Sequence, residues 1–170
     1  SGYLAVVREP ASDSSERLSR LAATGKPDRG RSGHNPPMHS EMVTVRTGSR
    51  LATDITDLVA DFCQPLGDGL CNVVVPHATA GVALFETGSG TEADLELVLE
   101  GMLPRGAAYQ HRHGSPGHGR DHVLPAFVAP SLVLPVFDGH LALGTWQSVV
   151  LVDPNGDNPV RQVRLSFVAG

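Results

Sequence analysis

The residue type best suited to chemistry in this chain is histidine. Eight occur in 170 residues, and His111, His113, His118 and His122 share one stretch rich in Pro, Gly and Arg, while His77 ends an earlier apolar run. Neutral imidazole is a common ligand for zinc and related divalent ions, and three His from separate elements leave an open position for water or substrate. His77, His111 and His122 are the candidate ligands. His113 and His118 lie among Gly, Ser and Pro and read as solvent-facing loop positions, and His140 as a turn residue. The other reading of His77 is a strand-end residue that caps a turn. Glu86 closes the apolar run that follows this turn. If the two flanking strands pair, its carboxylate comes near the imidazole as a general base or water-orienting group; otherwise it is a solvated strand end.

Gly144-Thr145-Trp146-Gln147 carries the single Trp. Either Trp146 packs in the core, as large aromatics do, or it faces a ligand or subunit interface while Gln147 points the other way. Glu92, Asp94, Glu96 and Glu100 are explained by helix capping, the helix dipole and a wet face. Gly88 to Thr91 precedes a helix but lacks the spacing and Lys of a phosphate loop.

Elements that must position these groups follow from periodicity. Val43 and Val45 alternate with polar residues from Met42 as a half-buried strand does. Ile55, Leu58, Val59 and Phe62 fall on one helical face, with Thr53 or Asp54 as N-cap and Gln64-Pro65 as the stop. Runs over 70–75 and 81–86 predict a strand pair around the His77 turn. Thr91 with Asp94 starts a second helix carrying Leu95, Val98, Leu99 and Met102, which Pro104 ends. Residues 104–122 form a long loop without periodicity, of the kind that serves function. Strands are expected near 123–128, 131–136, 146–152 and 160–168, with Asp138-Gly139 and Pro154-Asn155-Gly156 as turns. Such an order of elements predicts an α+β domain with antiparallel strands over 41–170. Residues 1–40, which include His34 and His39, read as an arm or extension with a possible short polar helix over 12–23.

Composition excludes several classes. A hydrophobic fraction of 41% supports one domain with a core. A net charge of −5 and an aromatic fraction of 5% speak against a nucleic-acid binder. The most apolar stretch, 123–137, is broken by Pro125, Pro130 and Pro135, so no membrane span is expected. No secretory leader is recognisable in the first residues, making the cytoplasm the expected location. Cys63 and Cys71 lack a CxxC partner and read as buried reduced thiols.

Taken in order, His77-Ala78-Thr79-Ala80-Gly81, Glu86, Tyr109-x-His111, His122 before an apolar run, and Gly144-Thr145-Trp146-Gln147 resemble the YjbQ family, also called secondary thiamine-phosphate synthase. The resemblance implies an antiparallel β-sandwich with two main helices, assembled as a homotrimer whose inter-subunit clefts hold the shared polar residues. It also implies a weak thiamine-phosphate synthase reaction. His77, Thr79, Glu86, His111, His122, Thr145, Trp146 and Gln147 match the family's site positions. Departures are Thr87-Gly88-Ser89 in place of an acidic residue after the Glu, Leu124 in place of a basic residue, and Asp153-Pro154-Asn155 in place of a basic stretch. Arg105, Arg112, Arg120 and Arg161 remain as cations for a departing pyrophosphate.

The resulting expectation is a divalent metal, zinc or magnesium, held by His77, His111 and His122, with Glu86 and His77 catalytic. Thr79, Arg112, Thr145, Trp146 and Gln147 would bind a small phosphorylated or anionic metabolite. The rival readings are a metal-dependent hydrolase of such a metabolite and a non-catalytic metabolite-binding trimer.

Overall fold

A computed structural model describes residues 38–111 and 113–170, and the backbone of residues 7–9. Among these, two antiparallel sheets face each other, with two α-helices at their margins. The larger sheet has six strands in the order β1-β2-β9-β4-β6-β7: β1 Val7–Glu9, β2 His39–Arg46, β4 Gly69–Val74, β6 Ser131–Phe137, β7 His140–Leu141 and β9 Val160–Ala169. The smaller has the order β3-β8-β5: β3 Ala52–Asp54, β5 Gly81–Phe85 and β8 Ser148–Val152. No described helix is long and apolar enough to cross a membrane.

Alternation builds the core between the sheets. Val43 and Val45 of β2, Cys71 and Val73 of β4, Leu134 and Val136 of β6 and Val163, Leu165 and Phe167 of β9 all point inward and are buried. From the small sheet Val82, Val149 and Leu151 meet them. Helix α1, Thr56–Cys63, closes this core with the expected face of Leu58, Val59 and Phe62. The Asp54 carboxylate starts it by accepting the Thr56 N–H at 2.9 Å and the Thr56 hydroxyl at 2.6 Å. Both cysteines are buried free thiols, and the hydrogen bond with Cys63, followed by burial, pushes the Cys71 thiol up. Helix α2, Thr91–Met102, is a weaker fit to its predicted face. Leu99 is buried, but Val98 and Met102 stay exposed with Leu97 because one side alone of this helix meets the small sheet.

Three expected features differ. The strands before and after the His77 turn do not pair: β4 lies between β9 and β6, and β5 pairs β8 in the other sheet. The turn is a crossing between sheets, held by Val75 N–H to the Pro130 carbonyl and Val82 N–H to the Ala129 carbonyl. Residues 123–128 are not a strand; Leu124–Ala126 is a 3-10 turn, since Pro125 cannot donate to a ladder and fits an early helical position. That turn packs so tightly that a Cβ at Gly81 would sit 2.3 Å from the Val128 carbonyl oxygen. Trp146 is 73% exposed and takes no part in the core. The Asp138-Gly139 turn forms as expected, with φ of 49° and 75°, but joins β6 to the short β7. The polar helix considered over 12–23 lies outside the described residues.

One charged pair sits inside this frame. Arg161 of β9 and Asp153, just after β8, are both buried, with Arg161 Nε 2.6 Å from Asp153 Oδ2. The guanidinium also donates to the Asn158, Val160 and Asn155 carbonyls. Breaking such a pair leaves an uncompensated buried charge, so Asp153→Asn should lose about 3–5 kcal/mol in urea unfolding. Asp153→Leu with Arg161→Met should recover most of it; a single variant as stable as wild type would show the pair to be dispensable.

Candidate functional site

The 104–122 loop is pinned before it presents anything. Arg120 is buried and its Nη1 donates to Glu100 of α2 and to the Leu103 carbonyl at 3.0 Å. Glu100 also accepts the Arg105 N–H at 3.0 Å, so one carboxylate holds both the start and the end of the loop. A 3-10 turn, His118–Arg120, follows Gly117, whose φ of 83° reverses the chain. These ties gather four imidazoles.

His111, His113, His118 and His122 each offer a ring nitrogen within 4.8 Å of the other three. Ring centroids of His111 and His122 are 4.0 Å apart, and the Nε2 atoms of His118 and His122 are 2.8 Å apart. On its other side His118 Nδ1 faces Asp157 Oδ2 at 3.3 Å and Asp121 Oδ2 at 3.7 Å. A carboxylate behind the outer ring nitrogen while the inner one faces the cluster is the usual second layer of a metal-ligating histidine. His118 and Asp121 are buried, His111 and His122 half-buried, and His113 exposed. His111 Nε2 is buried without a hydrogen-bond partner. The cluster differs in membership from the expected group: His113 and His118, read as solvent-facing, belong to it, and His77 lies outside it. Backbone ties fold the loop inward, which spacing among Gly and Pro does not reveal.

His77 is exposed and lies outside the cluster. Its Nδ1 receives the Thr79 hydroxyl at 2.9 Å and the Thr79 N–H at 3.3 Å. Thr79 is buried, and its hydroxyl accepts from Asn155 Nδ2 at 3.4 Å. Asn155 belongs to the loop fixed by Asp153 and Arg161, and Asp153 Oδ1 accepts its N–H. Asp157, the carboxylate behind His118, comes from the same loop and accepts the Ser115 N–H.

Glu86 is elsewhere. Gly81 pairs with Val152 and Phe85 with Ser148, so His77 precedes one end of the small sheet and Glu86 follows the other. Four residue steps of about 3.3 Å, from Gly81 to Phe85, set the two ends of β5 about 13 Å apart. The Glu86 carboxylate does not approach His77, because the strand pairing on which that expectation depended is absent; it is exposed and makes no hydrogen bond or ion pair among the described residues. Thr145, Trp146 and Gln147 are exposed at this same far end, where Gln147 Oε1 accepts the Gly144 N–H at 2.8 Å and closes the loop that projects Trp146. Arg112 lies outside the described residues.

A cleft of about 850 Å³ runs between α2, the β3 edge and the 153–157 loop. Arg50, Arg105 and Arg120 line it, and Ser115 and Asp157 bring its wall to the back of His118. Arg105 donates to the Pro154 carbonyl at 2.9 Å and retains about half of its exposure.

Residues 41–170 match the family described as UPF0047 protein YjbQ-like. A UPF0047 protein of Mycobacterium tuberculosis is 59% identical over 133 residues, 78% of this chain and 100% of the relative. One from Methanothermobacter thermautotrophicus is 31% identical over 78% of this chain and 93% of its own length. Among solved structures, a hypothetical protein of Aeropyrum pernix matches with a TM-score of 0.71 and 29% identity over 78% of this chain and 99% of that one. A YbjQ-like protein of unknown function from Sulfolobus solfataricus matches with a TM-score of 0.72 and 23% identity over 79% and 99%, a likeness of fold.

Burial, and then the neighbouring imidazoles, hold His111 and His122 below the ordinary value of 6.5. Depressed groups take up protons in the unfolded chain before the folded one, so their contribution is neutral above about pH 6.5 and turns against folding as pH falls below it. Metal-free protein should therefore lose stability between about pH 7 and about pH 5. The double variant His111→Asn with His122→Asn should flatten that slope in urea midpoints; an unchanged slope would mean that these rings carry ordinary values.

Proposed function

The chain belongs to the YjbQ-like UPF0047 family, and from that premise we propose that it is a metal-dependent enzyme acting on a small phosphorylated metabolite. The carrying observation is the four-imidazole cluster with carboxylates behind His118. An all-nitrogen donor set suits zinc, whereas magnesium takes oxygen ligands and keeps water. His111, His118 and His122 are the proposed ligands, with the exposed His113 able to complete or vacate a fourth position. Two ligands about 2.1 Å from one ion lie at most about 4.2 Å apart, so the cluster needs only small shifts to close. A bound zinc ion would polarise a phosphoryl oxygen or acidify water.

The chain's own groups divide the remaining work. Arg105 offers a half-exposed guanidinium beside the cluster for phosphate, and Asp121 and Asp157 orient His118. Thiamine-phosphate synthesis, in which a pyrimidine diphosphate loses pyrophosphate to a thiazole phosphate, is the specific reaction proposed. Hydrolysis of a phosphorylated metabolite at the same centre is the rival.

Glu86, Thr145, Trp146 and Gln147 enter this proposal through assembly. They lie at the end of the small sheet opposite Gly81, where Trp146 is exposed, and Phe127, next in sequence to the Val128 that packs on Gly81, is exposed as well. A closed ring buries unlike patches against each other and joins the two ends. In the proposed homotrimer Glu86 and Gln147 of one protomer complete the histidine site of the next.

Metal analysis of chelator-free protein should find about one zinc per chain, reduced strongly by His118→Ala and about 10–100-fold in affinity by Asp121→Asn. Less than about a tenth of an equivalent without rebinding would sink the metal assignment. Pyrophosphate released only when both substrates are present identifies the synthase, and phosphate released without the thiazole acceptor identifies the hydrolase. Mixed oligomers of His118→Ala and Glu86→Gln protomers should recover activity that neither has alone; no recovery would place each site within one chain.

A further inference from the structure

The ring of His77 is oriented from one side by Thr79. Thr79 directs two donors at one ring nitrogen: its backbone N–H at 3.3 Å and its hydroxyl at 2.9 Å. A backbone N–H can only donate, so Nδ1 must offer its lone pair. The hydroxyl agrees in direction, because Asn155 Nδ2 donates to Thr79 Oγ1 and leaves the hydroxyl proton for Nδ1. A neutral imidazole with a bare Nδ1 carries its proton on Nε2. Placing a proton on Nδ1 would set donor against donor. Burial and the nearby Arg161 guanidinium act in the same direction and hold the ring below its ordinary value.

We infer that His77 is a fixed neutral imidazole whose Nε2–H donates a hydrogen bond to a phosphoryl oxygen of the substrate, and that it is not a ligand of the metal centre. Nε2 has no partner among the described residues, and a protonated Nε2 has no lone pair for an ion. Ligation through Nδ1 would cost both Thr79 bonds. The relay that fixes the ring starts at the buried Asp153 and Arg161, passes through Asn155 and Thr79, and ends at His77. Thr79 and Asn155 are thus positioning residues for an exposed donor. The choice of a phosphoryl acceptor rests on the proposed function; the tautomer does not.

Long-range nitrogen–proton NMR spectra of histidine-labelled protein read the tautomer directly. The expected result is a proton on Nε2 of His77, moved toward a mixture of tautomers by Thr79→Val. Zinc should displace the signals of His118 and His122 and leave His77 in the same tautomer. Inorganic phosphate, added to the zinc-loaded protein, should shift the His77 Nε2–H signal. Its affinity should fall about 10-fold in His77→Ala and stay within about 3-fold in His77→Gln, whose amide replaces the donor. A proton on Nδ1, zinc binding to His77, or equal phosphate affinity in His77→Ala and wild type would each overturn the inference. Failure of zinc to bind at all would count against the metal centre alone, since the tautomer is read without it.

Discussion

A guanidinium with no exposed surface is tolerable only beside its carboxylate, and the Asp153–Arg161 pair is the constraint on which the rest of this structure depends. Asp153 follows β8 in the small sheet and Arg161 lies in β9 of the large one, so the pair joins the two sheets at one end. Between these residues the chain has no freedom to wander. Three carbonyls of the 155–160 segment bind the same guanidinium, and that segment presents Asn155 to Thr79 and Asp157 to His118. The electrostatic requirement of one buried charge thus sets the placement of two functional groups.

A second anchor acts from the other side. Arg120, buried under the loop, reaches Glu100 on α2 and the Leu103 carbonyl, while Glu100 holds the Arg105 N–H. A loop of this length would otherwise sample many conformations at small cost in closure entropy. Pinned at both ends to one carboxylate, it brings four imidazoles to one point with carboxylates behind one of them. Burial, and then the neighbouring imidazoles, disfavour protonation of His111 and His122, which keeps their lone pairs available for a cation.

The candidate site residues fall into two groups at opposite ends of a three-stranded sheet. One group holds the imidazoles and the buried relay, and the other holds Glu86 and an exposed Trp146. A single chain gives the second group no packed surroundings: Glu86, Thr145, Trp146 and Gln147 are all exposed.

Much of the fold was legible in residue order. The alternation in β2, β4 and β9, the apolar face of α1, the Asp138-Gly139 turn and the stop at Gln64-Pro65 are local signals, and local physics is enough to read them. The histidine stretch was legible as chemistry for the same reason, since residue type alone decides what can ligate. Which histidines converge was not. His118 reads as an exposed loop residue, yet it is buried with Asp121 beside its Nδ1, and His77 stands outside the group formed by His111, His113, His118 and His122. Glu86 is likewise close to His77 in sequence, but the chain changes sheets between them. By itself, then, the sequence determined the family, the α+β class, most elements and the kind of chemistry available, because those depend on residue type and on neighbours along the chain. Only the tertiary structure decided the members of the cluster, the burial of His118 and the separation of Glu86 from His77, because those depend on contacts between residues that are remote in sequence.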